Sequence, residues 1–298
     1  MPSHPWVSAH LFHHGDLDRV LIDLIAPLTA ELRDRRMADL TFFLRYWDGG
    51  PHIRFRVSPR DPTADAGVRE LIARRAAKYF ARHPSPDRLT QEDYQRSARV
   101  LGAREGVVPV EHLYPNNAAV FLPYEPEHRR YGTGESIAAV ERHFTDSSRL
   151  ALTAVVDGAP PERRATAVLC FMALAWMLTS PDLRCTAQRQ LEVHGTSSSE
   201  AIYRRQQGKL RTLVEAMRKT HSGWGSLPEG SNLKTWAASL NRMTAALRAG
   251  DETPSAERVA DLCAHLFANR IGVQIDAERS LRHLTARAIV DSTFWESK

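Results

Sequence analysis

The stretch Phe42–Val57, FFLRYWDGGPHIRFRV, constrains the fold of this chain more than any other. Two apolar runs flank Gly49-Gly50-Pro51, which predicts a β-hairpin with a longer loop. Beyond the turn the residues alternate. Ile53, Phe55 and Val57 fall on one face of a strand, and His52, Arg54 and Arg56 on the other. One reading makes the polar face a half-solvated surface. The other makes it a floor of fixed positive charge for a carboxylate or oxyanion. Arginine suits that role because its planar fork binds such groups in a bidentate way and stays charged.

The 298 residues allow one large domain or two intimate ones, and 43% hydrophobic with 25% charged residues describes an ordinary globular chain. No apolar run approaches the roughly 20 residues of a membrane span. The start, MPSHPWVSAHLFHH, lacks the basic beginning and apolar centre of a signal peptide, so a cytoplasmic location is expected. Cys170, Cys185 and Cys263 are widely spaced and form no CxxC pair, so neither a disulfide framework nor a zinc site is indicated. The net charge of +5 rests mainly on arginine. It points to an anionic partner such as an acidic peptide, but no RNA-binding or zinc-finger signature accompanies it.

Taken in order, residues 6–13 read as a strand ending in His-His-Gly-Asp. His10, His13 and His14 lack further ligands at metal spacing. Asp16 opens a helix whose apolar stripe is Leu17, Val20, Leu21, Leu24, Ile25 and Leu28. The hairpin and a helix over 64–82 follow. This order predicts a small sheet with helices packed on one face. Residues 84–118 read as mixed and loop-like, with a strand candidate at 111–114. The segment 121–134, FLPYEPEHRRYGTG, has no period and is of the irregular kind that often carries function. A helix starts at Glu135. Further helices are predicted at 162–179, 183–194, 199–219, 231–249, 255–271 and 276–293, broken at Gly and Pro positions. The expected architecture is α+β: a small antiparallel-containing sheet with helices over 1–160, then a mostly helical part over 161–298, within one functional unit.

Three constellations carry candidate chemistry. The first is His52, Arg54 and Arg56. The second is Glu127 and Arg130, followed by Tyr131. Their spacing also fits a simple ion pair on one helical turn. The third is His265, Asn269 and Arg270. His265 and Asn269 share a helix face beside an apolar stripe, where a satisfied, partly buried histidine is the plainer alternative. No GxSxG elbow, GxGxxG turn, Walker loop or HExxH motif is present.

These pieces together resemble a known family. PWVSAHLF, FFLRYWDGGPHIRFRV, YEPEHRRYG, AAVERHFTDSS and HLFANRIG occur in that order across nearly the whole chain. They resemble the C-terminal, glutamate-eliminating domain of class I lantibiotic dehydratases and the stand-alone thiopeptide-type proteins related to it, including pyridine synthases. By that resemblance Arg54, Arg56, Glu127, Arg130 and His265 stand at the catalytic positions. His52, Arg45, Tyr131, Asn269 and Arg270 are candidate substrate contacts. Two positions depart from the family pattern. Thr133 stands where a glycine is usual, which bears on the loop's shape. Leu266 replaces a methionine, a volume-conserving change.

The large glutamylating domain of a full dehydratase does not fit in 298 residues. The resemblance therefore implies a split partner. Another protein would use glutamyl-tRNA to acylate Ser or Thr of a ribosomal precursor peptide. This chain would then eliminate glutamate to leave dehydroalanine or dehydrobutyrine, with no cofactor and no metal. The alternative implied by the same family is a pyridine synthase, which joins two dehydroalanines in a formal [4+2] cyclisation and expels the leader peptide. A third reading is a non-catalytic subunit that holds the leader. Either enzymatic reading expects Arg54, Arg56, Arg130 and His265 to serve a single pocket. The expected partners are the precursor peptide and a separate glutamylating subunit, with no membrane and no direct nucleic acid.

Overall fold

The computed structural model describes residues 6–250 and 254–292. Four strands form one antiparallel sheet in the order β2-β3-β1-β4, from β1 (Val7–Phe12), β2 (Ala38–Tyr46), β3 (His52–Pro59) and β4 (Ala118–Phe121). The predicted hairpin is β2-β3. Its turn closes through Gly50 N–H donating to the Trp47 carbonyl at 2.9 Å. Gly49 has φ +83, and a side chain there would meet the Tyr114 ring at 2.6 Å, so both conformation and space demand glycine.

Alternation decides which face does what. Val7, Ala9 and Leu11 stand in register with Val57, Phe55 and Ile53, and all six are buried. This face receives the helices. Arg69 of α3 (Asp65–Arg82) lies over Phe121, the register partner of Ala9. Asp18 of α1 (Leu17–Val20) binds Arg45, the register partner of Ile53. Asp16 caps α1 by accepting from Asp18 N–H at 2.9 Å. From α1 the chain continues through a π-helical turn, Leu21–Ile25, into α2 (Ala26–Asp34), and Val20, Leu21, Leu24, Ile25 and Leu28 are buried.

The region 84–118 differs from its reading as loop and strand. It holds α4 (Gln91–Glu105), and residues 111–114 form no strand. The buried stripe of α4 is only Tyr94, Ala98 and Gly102, so the apolar period is weak although the helix is well ended. Thr90 caps it by accepting from Asp93 N–H, and Gly106 closes it at φ +67. Tyr94 ties the helix to the hairpin turn. Its hydroxyl accepts from Gly49 N–H at 2.9 Å and lies 2.6 Å from the Val110 carbonyl.

The chain divides into two compact units, one comprising Met1–Pro126 with Val155–Asp157, the other Glu127–Ala154 with Gly158–Lys298. The second unit contains α5 (His128–Tyr131), the bulk of α6 (Gly134–Val156), α7 (Pro161–Thr179), α8 (Leu183–His194), α9 (Ser197–Gly223), α10 (Asn232–Ala249), α11 (Ala256–Arg270) and α12 (Ile275–Val290). Each long helix read from the sequence is present. Thr293, the last residue of the predicted final helix, lies outside the described residues. Helix α7 is buried on every side from Val168 to Met177, which makes it the centre of the bundle. Phe171 stacks on Trp236 of α10 at 4.6 Å, and Phe267 of α11 leans on both rings. Such pairs are worth about 0.5–1.5 kcal/mol each beyond the area they bury.

Candidate functional site

In the first unit the candidate groups lie on the sheet face away from the helices. Strand pairing aligns them in rows: Ser8 opposite Arg56, His10 opposite Arg54, Phe12 opposite His52. On the other side of β3, Phe42, Leu44 and Tyr46 oppose Arg56, Arg54 and His52. The half-solvated reading of this face does not hold, because His52 is 0% and Arg56 7% exposed. Aromatic rings surround the charges. The Arg54 guanidinium sits 3.4 Å from the Tyr46 ring centroid, and Arg56 lies 5.5 Å from that of Tyr124. Trp6, Phe42 and Tyr124 pack edge to face beside them.

Burial sets the protonation of this face. It pushes His52 down to about 3 and His10 down to about 2, with Arg54 and Arg56 adding to both shifts. The two imidazoles stack at 4.9 Å and are neutral at ordinary pH. His52 Nδ1 lies 2.7 Å from the Gly50 carbonyl, so it carries the proton and leaves Nε2 as an acceptor. Burial and the neighbouring Arg54 lower Arg56 to about 9, still charged at neutral pH. Ser8 Oγ, His10 Nε2, His52 Nε2 and Arg56 Nη1 are buried here with no hydrogen-bond partner among the described residues. Unsatisfied buried polar atoms cost about 1–3 kcal/mol each, so such a cluster is suited to a polar guest. Ser8 and His10 were not singled out as binding groups from sequence. The signal was available, since they alternate with Val7, Ala9 and Leu11.

In the second unit the site is built around His265. The imidazole is 37% exposed, and its Nδ1 lies 2.7 Å from Oε2 of Glu278, a carboxylate only 4% exposed. The other oxygen of Glu278 accepts from Arg282 Nε at 2.9 Å. Arg282 Nη1 donates to Asp261 Oδ1 at 2.7 Å, and the Trp176 indole N–H donates to that same oxygen at 2.8 Å. His265 is thus a satisfied, partly buried histidine, as its place beside the apolar stripe suggests. It is the outer end of a buried relay running from α7 through α11 and α12. Glu278, Arg282 and Asp261 escaped the sequence reading. Their spacings of four along each helix are legible, but the pairing of α11 with α12 is not.

The remaining candidates divide. Glu127 and Arg130 form an ion pair at 3.1 Å with both side chains about half exposed. Tyr131 and Arg270 turn into the core instead. Arg270 is 0% exposed, donates to Ser147 Oγ at 3.1 Å and lies against Phe144, which packs edge-on to Tyr131. Burial raises the Tyr131 hydroxyl far above its usual range and lowers Arg270 to about 10. Asn269 is half-buried on α11. Arg45 projects to the helix side of the sheet, opposite to Arg54 and Arg56, and binds Asp18 at 2.5 Å. Thr133 carries no left-handed strain, since the positive φ angles fall on Gly132 and Gly134. Among the described residues no group of three or more His, Cys, Asp or Glu is placed to hold a metal ion. Among them too, no helix is long and apolar enough to cross a membrane.

Similar folds occur among known structures. The pyridine synthase TbtD from thiomuracin biosynthesis superposes with a TM-score of 0.80 at 22% identity, covering 96% of this chain and 98% of TbtD. TsrL gives a TM-score of 0.65 at 17% identity, covering 95% of this chain and 94% of TsrL. The tRNA-dependent lantibiotic dehydratase MibB from Microbispora sp. 107891 gives 0.63 at 18% identity, covering 97% of this chain but only 28% of MibB. The search of curated proteins gave no match. The family model described as lantibiotic biosynthesis dehydratase C-term matches residues 6–289. The chain belongs to the lantibiotic dehydratase C-terminal family.

Proposed function

We propose that this protein is a cyclase of ribosomal peptide biosynthesis, joining two dehydroalanines of a precursor peptide in a formal [4+2] reaction and expelling the leader. The observation that carries this reading is the likeness to the pyridine synthase TbtD, nearly complete over both chains. MibB is matched over 28% of its length, and more loosely. This reverses the preference drawn from the sequence motifs, which put glutamate elimination first.

The sheet face offers its charge to either reaction, since both build negative charge on an oxygen. The Arg56 guanidinium lies beside the neutral, buried imidazoles of His52 and His10, and the partly exposed Arg54 is the group of this row most open to a peptide. In the cyclisation an amide must become its iminol tautomer, water must leave, and the leader must depart as an amide. Each stage moves a proton. His265 is the group that moves it, a contribution worth about 10²–10⁴-fold. Arg54 and Arg56 hold the oxygen on which charge gathers. The exposed Glu127–Arg130 pair contacts the peptide.

Glutamate elimination stays as the second reading, because Arg54, Arg56, Glu127, Arg130 and His265 are all retained. It requires a glutamylated peptide as substrate. Mass spectrometry on two peptides separates the readings. A bis-dehydroalanine peptide that loses water and its leader supports cyclisation. A glutamylated peptide that releases glutamate, with no change to the first, overturns cyclisation in favour of elimination. Turnover of neither peptide leaves a binding subunit.

A further inference from the structure

The relay behind His265 does more than fill space. Glu278 sits in the first turn of α12, close to the positive end of that helix, where a carboxylate is already favoured. Its two oxygens are both engaged: Oε1 by Arg282, Oε2 by His265 Nδ1. Arg282 is held on its far side by Asp261, and Asp261 by the indole of Trp176 in the central helix. The carboxylate therefore has little freedom to turn away. An ionised carboxylate is an acceptor only, so the nitrogen facing it must carry a proton. The neutral imidazole is then confined to one tautomer, Nδ1–H, with the Nε2 lone pair on the opposite edge of a ring that is one-third exposed.

We infer that Glu278 is a positioning residue for His265: it fixes the tautomer and the ring plane so that Nε2 is the atom that takes and returns protons. The role of His265 in turnover rests on the cyclase reading above. The positioning of its ring does not. Glu278→Gln separates the two. A glutamine has the same shape but can donate as well as accept, so it admits the opposite tautomer, with the proton on Nε2.

The test has two arms on the full chain. In the first, nitrogen-15 NMR of the ring nitrogens is recorded at mildly alkaline pH, with His265→Gln identifying the His265 signals. Wild type is expected to show Nε2 as the unprotonated nitrogen, and Glu278→Gln to show a mixture or a reversal. Wild-type His265 with its proton on Nε2 overturns the inference without recourse to any variant. In the second, turnover of the bis-dehydroalanine peptide is measured. Glu278→Gln is expected to lower kcat by between about tenfold and 10⁴-fold with KM within twofold, as when other histidine-orienting carboxylates are replaced. Unchanged kcat in a folded variant overturns it. If wild type turns over neither peptide, the cyclase reading fails and the NMR arm still decides the positioning of the ring.

Discussion

The guanidinium of Arg54 lies 3.4 Å from the centroid of the Tyr46 ring, flat contact between neighbouring strands of one hairpin. The ring takes the place of water on one side of the charge and fixes the plane in which its donors point. Cation–π contacts of this kind are worth about 0.5–2 kcal/mol. Tyr46→Leu is expected to weaken peptide binding up to roughly 30-fold while the fold persists. Arg54→Lys is expected to fare worse, since an ammonium has neither the flat face nor the fork. Isothermal titration with a non-reacting peptide measures both.

Replacing His265 with alanine should abolish turnover and spare the structure. The ring is partly exposed, so little packing is lost. A fall in kcat of about 10²–10⁴-fold is expected, with the melting temperature within a few degrees of wild type. Kinetics beside a thermal melt test this, and retained turnover counts against the assignment.

Acid should destabilise the fold over a defined window. His10 and His52 in the first unit and His143 in the second are buried and neutral, held down to about 2, about 3 and about 3. The unfolded chain begins to bind protons at these positions as pH falls through about 6.5, whereas the folded chain does not until about 3. Stability is therefore full above about 6.5 and is lost below it. Each such histidine contributes a loss of roughly 1.4 kcal/mol per pH unit in that range. Urea melts at pH 7, 6 and 5 should show midpoints that fall with increasing slope. A midpoint independent of pH across that range is the opposing result.

Arg270 should behave unlike its neighbour in sequence space. It is fully enclosed between Ser147 and Phe144. Arg270→Ala is expected to cost about 2–4 kcal/mol, the range for emptying a large buried position. A chemical-denaturation curve reads this directly.

Much of the scaffold was legible because its periods are strong. The β3 alternation and the helices from α7 to α12 have long apolar patterns bounded by Gly, Pro or capping residues. Helix α4 was missed because its buried stripe is one tyrosine and two small residues, with charges between. At the site, local pattern found His52, Arg54 and Arg56 together, since strand geometry alone sets them in a row. It misjudged their solvation, because burial of a face depends on the rest of the fold. Arg45 lies two positions along from Phe43, and strand parity puts it on the helix side, a consequence that the sequence reading did not apply. The partner of His265 is 13 positions downstream on another helix, and no spacing rule reaches across that turn.

The enclosure of Arg270 has a bearing on how relatives are compared. The run from His265 to Arg270 unites a partly exposed imidazole with a guanidinium wholly enclosed in the bundle. A homologue that lost the histidine and kept the arginine would keep the packing of the bundle and lose the group proposed to move protons. Motif scores that weigh both letters alike would still rank such a protein among the enzymes.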